Sequence, residues 1–406
     1  MMRTDSLDAH APPSFREAYE SFLRPGRILL TGHSHQAWPD VARDALVHAF
    51  GDAAAFVDDK WSEAVDAVVA RVARGVAQRL GYGESEAASL VFGQNTHELA
   101  FRLLSCWPFD SRTRVVTTSG EFHSLDRQLR RLQEAGVRVD WVDARKREGL
   151  EARIVDAIAP GTSLVALSAV FFEDGWVLRD LQAIAARAAE VGAPLLLDVY
   201  HAFNVVPLPL ASLPGEVYVV AGGYKYAQFG EACCFMRVPP GSDRKPVYTG
   251  WFADFADLAQ PRGEGARPVG FGKGSSRFAG STYDAGPFYR AAAVLDHFES
   301  HGLTPERLRA ISLRQTSRIL DRLGELKAEE AGLEVVSSRD PERRGGFVAL
   351  RCAFPQELVG ALREAGVFVD ARGEIVRLGP APYLSDAELD EGVAKVAEAA
   401  RRLRRA

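Results

Sequence analysis

The sequence predicts an α/β protein with a mostly parallel central sheet flanked by helices, followed by a smaller C-terminal α+β domain. Three observations carry this reading. From residue 137 onward, apolar runs at 137–142, 162–168 and 194–197 alternate with helical patterns at 148–158 and 178–191, as βαβ units do. Two apolar runs, 194–197 and 217–221, lead into Asp198 and into Gly222-Gly223-Tyr224-Lys225, and strand carboxyl ends in open α/β sheets converge on the ligand crevice. Beyond residue 286 the pattern becomes a mixture of helices and short strands.

Taken from the N-terminus, residues 14–23 have helical spacing, with Phe15, Tyr19, Phe22 and Leu23 on one face. Residues 27–31 read as a short strand. Helices follow at 40–50 and 58–80, then a strand at 89–92 and an apolar helix opening at Asn95 and Thr96. A strand at 112–117 turns at 118–129 into the next helix. The adjacent acids Glu173 and Asp174 read as a turn. The Gly- and Arg-rich stretch 262–277 has few large apolar side chains and reads as a long loop. After it come helices at 286–300 and 304–326, strands near 332–337 and 345–351, a helix at 355–365, strands at 366–370 and 374–378, and a terminal helix at 385–405. The expected division is an N-terminal segment, 1–39, that joins the small domain, a large domain, 40–285, and a small domain, 286–406.

At 406 residues with 47% hydrophobic content the chain can bury a large core. A net charge of -5 argues against a nucleic-acid or anionic-membrane partner, and no stretch approaches the roughly 18 apolar residues of a membrane-spanning helix. Four cysteines without C-x-x-C spacing are too few for a disulfide framework. Cys233 and Cys234, in an apolar run, read as core. The first residues lack the apolar centre of a signal peptide, so a reducing cytoplasm is expected. His33 and His35 have no third ligand placed nearby, and no metal is expected.

Asp198 and Lys225 would bring a fixed carboxylate and a fixed amine to one pocket. Pyridoxal phosphate chemistry needs that pair: a lysine holds the aldehyde as a Schiff base and an acid keeps the pyridine nitrogen protonated. A carboxylate about 4 Å from a pyridinium contributes on the order of 4 kcal/mol at an effective dielectric near 20. For either residue alone, a helix-capping Asp or a solvated Lys is the ordinary alternative.

The segment Asp198-Val199-Tyr200-His201, followed by Tyr224-Lys225-Tyr226 and a Gly-containing loop, resembles the class V aminotransferase superfamily, and within it the kynureninases. The resemblance implies the fold type I fold of pyridoxal phosphate-dependent transferases. It also implies pyridoxal 5'-phosphate bound as a Schiff base on Lys225, with Asp198 and His201 as cofactor-binding residues and Tyr224 as proton donor or phosphate ligand. Asn95 and Thr96 stand where the family cradles the cofactor phosphate, a place a helix N-terminus suits; an ordinary N-cap is the alternative. Phe122 aligns with the ring that stacks on the cofactor in kynureninases, whereas a histidine stacks in other class V members, which keeps His123 open. The family's next aspartate falls on Leu125, with Asp126 one residue late.

Farther along, Gly250-Trp251-Phe252 matches a kynureninase motif whose tryptophan reaches the cofactor phosphate of a neighbouring subunit, implying a homodimer; a buried core Trp is the alternative. Ser281-Thr282-Tyr283 stands where kynureninases carry a substrate-contacting asparagine. Class V aminotransferases and desulfurases place a threonine there against the partner's phosphate, which assigns Thr282 to the cofactor. Arg377 matches the arginine that forks onto the substrate α-carboxylate, a geometry lysine cannot supply; an Arg held by a local acid is the alternative. Ser34, between His33 and His35, matches a serine that approaches the substrate.

The implied activity is kynureninase-like hydrolytic Cβ–Cγ cleavage of kynurenine or a related 4-oxo amino acid, with Lys225, Asp198 and Tyr224 as catalytic residues. A class V aminotransferase and a C–S lyase are the alternatives, because the residues that read the substrate side chain are those that depart from the family.

Overall fold

The computed structural model describes residues 9–256 and 268–405. Residues 262–267 of the stretch expected to form a long loop, and residues 1–8 of the expected N-terminal segment, lie outside the described residues.

The chain opens with α1 (Pro13–Glu17) and β1 (Ile28–Leu29), then α2 (Val41–Phe56) and α3 (Asp66–Arg79), joined through a π-helical turn at Trp61–Val65. There follow β2 (Leu90–Gly93), α4 (Thr96–Leu104), β3 (Arg114–Thr118), α5 (His123–Glu134), β4 (Arg138–Val142), α6 (Leu150–Ala157), β5 (Leu164–Ser168) and α7 (Leu181–Glu190). The next strands are β6 (Leu195–Asp198), β7 (Val217–Ala221) and β8 (Cys234–Arg237). The C-terminal part comprises α8 (Gly286–Ser300), α9 (Pro305–Glu325), β9 (Glu334–Val335), β10 (Val348–Arg351), α10 (Pro355–Glu364), β11 (Val367–Phe368), β12 (Asp370–Arg372), β13 (Ile375–Leu378) and α11 (Asp386–Arg405).

Seven strands form the large sheet in the order β2-β8-β7-β6-β5-β3-β4. Neighbours from β7 through β4 run parallel, and β8 runs antiparallel to both β2 and β7. Period-2 alternation sends Val165, Leu167, Leu195, Leu197, Val217 and Val219 to one core, and Leu164, Ala166, Leu196, Tyr218 and Val220 to the other. Each buried Leu or Val contributes about 1.5–3 kcal/mol, so the centre of the sheet is held on both faces. Strand β8 occupies the run read from sequence as core; its side chains are buried, and its backbone pairs between β2 and β7.

The helix expected over 14–23 ends at Glu17 and continues as turns, yet Phe15 and Tyr19 are fully buried as its spacing requires. A second sheet of four antiparallel strands, β12-β13-β10-β9, lies in the C-terminal part, and β1 pairs in parallel with β11. Helix α11 packs on α9 and α10, while α8 packs against α2 and α3. Among the described residues no helix is long and apolar enough to cross a membrane.

Candidate active site

The carboxyl ends of β6 and β7 open on a cavity of about 260 Å³ lined by Asn95, Thr96, Phe122, Asp198, Tyr224 and Lys225, with His201 in its wall. Lys225 reaches it because the backbone before it runs close to its neighbours. A Cβ at Gly222 would stand 2.4 Å from Cys234 Sγ and from Tyr200 Oη, and one at Gly223 would stand 2.5 Å from the Cβ of Phe229. Only glycine permits that approach. Beyond the lysine, Gln228, Ala232 and Cys233 hold positive φ values of 61°, 64° and 46°, an unfavourable backbone for residues with a Cβ and one that gathers at functional loops.

Lys225 is 5% exposed, and its Nζ lies 2.6 Å from His201 Nε2. Burial, aided by the Arg377 guanidinium and opposed by Asp198, brings the Lys225 amine down to about 7. Burial and the nearby Lys225 and Arg377 cations hold His201 well below its ordinary value, so Nε2 accepts from the amine. Asp198 opens partly onto the cavity, but desolvation pushes its carboxyl up to about 6, against the Tyr200 N–H that it accepts at 2.9 Å and the Lys225 charge. The rings of Tyr200, Phe122 and Tyr224 surround the amine, their centroids 5.2, 5.5 and 5.5 Å from Nζ.

Helix α4 points its N-terminus at the cavity. Asn95 is its N-cap, accepting from the Glu98 N–H at 2.8 Å, and Thr96 and His97 also line the space. Phe122 and Ser124 face the cavity; His123 stands outside its lining, its ring 5.0 Å from that of Phe172. Asp126 pairs with Arg130 and Leu125 is buried, so Ser124 is the polar side chain that this turn gives to the site.

Besides His123, four expected residues lie outside the lining of this cavity. Ser34 donates to the Thr31 carbonyl at 3.1 Å. Trp251 is 44% exposed and is not a core residue. Thr282 lines a neighbouring cavity with Arg102, Phe252 and Phe255. Arg377 is buried and held by the local acid Asp370, with Nε on Oδ1 at 2.9 Å and Nη2 on Oδ2, while Nη1 donates to the Phe172 carbonyl at 2.7 Å. It remains close to the amine, since the Phe347 ring lies against Arg377, His201 and His33.

The histidines of the Ser34 loop diverge: His33 meets Asp370 at 2.6 Å and His35 meets Glu231 at 2.7 Å while stacking on Tyr224. Sequence reading missed Asp370, Tyr200, Ser124 and Glu231. For Asp370 a signal existed: Gly373, at φ +54°, and Glu374 make a two-residue hairpin loop that sets Asp370 opposite Arg377.

A family profile for the kynureninase C-terminal domain matches residues 308–396. The kynureninase of Deinococcus radiodurans is 28% identical over 415 residues, covering 98% of this chain and 95% of that protein. The kynureninase of Pseudomonas fluorescens is 25% identical, covering 94% and 91%. Among solved structures, a C-DES mutant with glycine covalently linked to its PLP cofactor superposes with a TM-score of 0.78 at 17% identity, covering 94% of this chain and 99% of that one. The sequence matches run through the Asp198 and Lys225 strands, and the structural match extends the likeness to the whole sheet. The chain is similar to kynureninases over nearly its whole length and has the fold type I architecture seen in pyridoxal phosphate enzymes.

Proposed function

We propose that this protein uses pyridoxal 5'-phosphate held on Lys225 to hydrolyse the Cβ–Cγ bond of kynurenine or a related 4-oxo amino acid. The observation that carries the reading is the meeting of Lys225, Asp198 and His201 at one cavity wall. The residues fit the cofactor: a buried amine brought down to about 7, a carboxylate at a strand end, an aromatic face and a helix N-terminus. When bound, the cofactor supplies an electrophilic aldehyde carbon and a cationic ring that draws electrons from the substrate Cα.

Above about pH 7 the Lys225 amine is neutral, so it could hold the cofactor's aldehyde and, when released, would be free to accept a proton from the substrate Cα. Asp198, at the cavity wall, would pair with the cofactor's ring nitrogen and hold its proton. Phe122 would supply the stacking face, and the α4 terminus with Asn95 and Thr96 would receive the phosphate. Burial raises the Tyr224 hydroxyl above its ordinary value, so it stays protonated at neutral pH and can donate. Arg377 offers its remaining N–H groups to the α-carboxylate. The net reaction would be hydrolysis: the hydroxyl of water goes to the γ-carbonyl carbon and a proton to Cβ as the Cβ–Cγ bond breaks, giving an aromatic acid and alanine.

The site works at the interface of two copies. The segments that carry Trp251 and Thr282 meet where Phe252 N donates to Gly280 O at 3.0 Å, and both residues stand outside the lining of the cavity that they would serve. The exposed Phe50, Val47 and Val57 of the α2 region add an apolar surface suited to a second copy. The location is cytoplasmic, where four unpaired cysteines stay reduced.

The aminotransferase alternative is favoured by one observation, Thr282 in place of an asparagine. A desulfurase-like nucleophile is disfavoured, because burial pushes the Cys106 and Cys234 thiols up to about 12. Kynurenine and 3-hydroxykynurenine, given to the loaded protein, should release anthranilate or its hydroxylated form together with alanine. Amino transfer to a keto acid without cleavage would move the assignment to an aminotransferase.

A further inference from the structure

We propose that Asp370 is a positioning residue: with His33 behind it, it fixes Arg377 so that the remaining terminal N–H groups receive the carboxylate of an amino-acid substrate. This rests on the reading of Arg377 given above.

A guanidinium has five N–H groups in one plane. Asp370 takes one from Nε and one from Nη2, and the Phe172 carbonyl takes one from Nη1. One N–H is left on each terminal nitrogen. The bidentate pair fixes the plane of the fork as well as its position, and placement of a binding group is what a bound substrate's geometry depends on.

Asp370 is itself held. Its Oδ1 accepts a second bond from His33 Nε2 at 2.6 Å. His33 is fully buried, and burial with the neighbouring Arg377 charge brings it down to about 4, so at neutral pH the imidazole is uncharged and carries its proton on Nε2. Asp370 stays ionised, well below the usual carboxylate range, because two donors face it. The imidazole cannot slide: it packs 4.9 Å from the Phe347 ring, and a Cβ at Gly379 would stand 2.2 Å from its Nδ1. The cross-strand register of β12 and β13 fixes the acid opposite the arginine.

The assembly adjoins the reacting amine. Phe172, which accepts from Arg377, packs edge-on against Phe122 of the cavity wall, and Phe347 touches both His33 and His201. Asp370 also offsets the effect of the Arg377 charge on Lys225.

The test compares L-alanine with L-alaninamide, which lacks the carboxylate, as ligands of the cofactor-loaded protein, titrated by the cofactor's absorbance. In Asp370→Asn, affinity for L-alanine should fall about 10- to 100-fold, as misplacement of a binding group predicts, while affinity for L-alaninamide stays. Equal loss for both ligands, or no loss for either, overturns the proposal. His33→Phe keeps the Arg377–Asp370 pair and guards against a folding failure of the first variant; it should weaken L-alanine selectively but less, and unchanged L-alanine affinity there also overturns the proposal. A wild type that binds both ligands alike would remove the carboxylate reading of Arg377 itself. A wild type that discriminates, with Asp370→Asn discriminating equally, would remove only the role of Asp370.

Discussion

Lys225 Nζ stands 2.6 Å from His201 Nε2, and at that separation in a buried site the two groups cannot both carry charge. His201 stays neutral and the lysine amine sits near 7. The unfolded chain keeps that lysine near its ordinary value of about 10.4. Between these values the unfolded state binds more protons, so stability rises with pH through the window; the penalty is complete below about 7 and gone above about 10.4.

Lys225→Met should therefore raise the melting temperature of the cofactor-free protein, with a larger gain at pH 6 than at pH 10. Thermal denaturation at the two pH values reads it directly. A gain independent of pH, or a loss at pH 6, would show that burial of the amine carries no such penalty.

Asp198→Asn should separate activity from stability. Loss of a carboxylate facing the ring cation removes on the order of 4 kcal/mol, which is close to a thousandfold in kcat. Because desolvation raises Asp198 to about 6 in the folded chain, above its ordinary value near 3.9, carrying its charge costs stability, and that cost is complete above about pH 6. The apoprotein of this variant should then melt no lower than the wild type at pH 8, and a lower melting temperature would contradict the burial account.

Gly379→Ala should cost about 1–3 kcal/mol, the usual range for overpacking. The added Cβ would meet the His33 backbone N at 2.7 Å as well as Nδ1 at 2.2 Å. Gly360, inside α10 with open space around it, is the matched control, where alanine should add roughly 0.5–1 kcal/mol of stability. Urea denaturation of the pair checks both signs.

Phe50→Asp tests the second copy. Phe50 is 77% exposed, so a charge there should change the stability of a single chain by less than about 0.5 kcal/mol. In sedimentation the wild type should run as a dimer and the variant as a 44.3 kDa chain. A variant that remains dimeric would place the interface elsewhere.

Much of this was legible in the sequence because burial on both faces leaves nearly continuous apolar runs in the parallel strands. Asp198 ends β6 and Lys225 follows β7, just past where those runs end. The direction of β8 was not read, although the segment between β7 and β8 contains no helix, as an antiparallel connection allows and a parallel crossover usually does not. Single-residue motifs located Arg377 but not its state, since its partner is set by hairpin register, a property of two strands together. The exposure of Trp251 was illegible for a related reason: the residue type alone does not say whether a large aromatic ends up in the core or, as Trp251 does, largely exposed.

The most direct test of the account is to reduce the cofactor-loaded protein with borohydride and map the modified peptide by mass spectrometry. A pyridoxyl group on Lys225, within the peptide that follows β7, is the expected product, and it should be lost in Lys225→Met. Modification at any other lysine, or none on a protein that has taken up the cofactor, would contradict it.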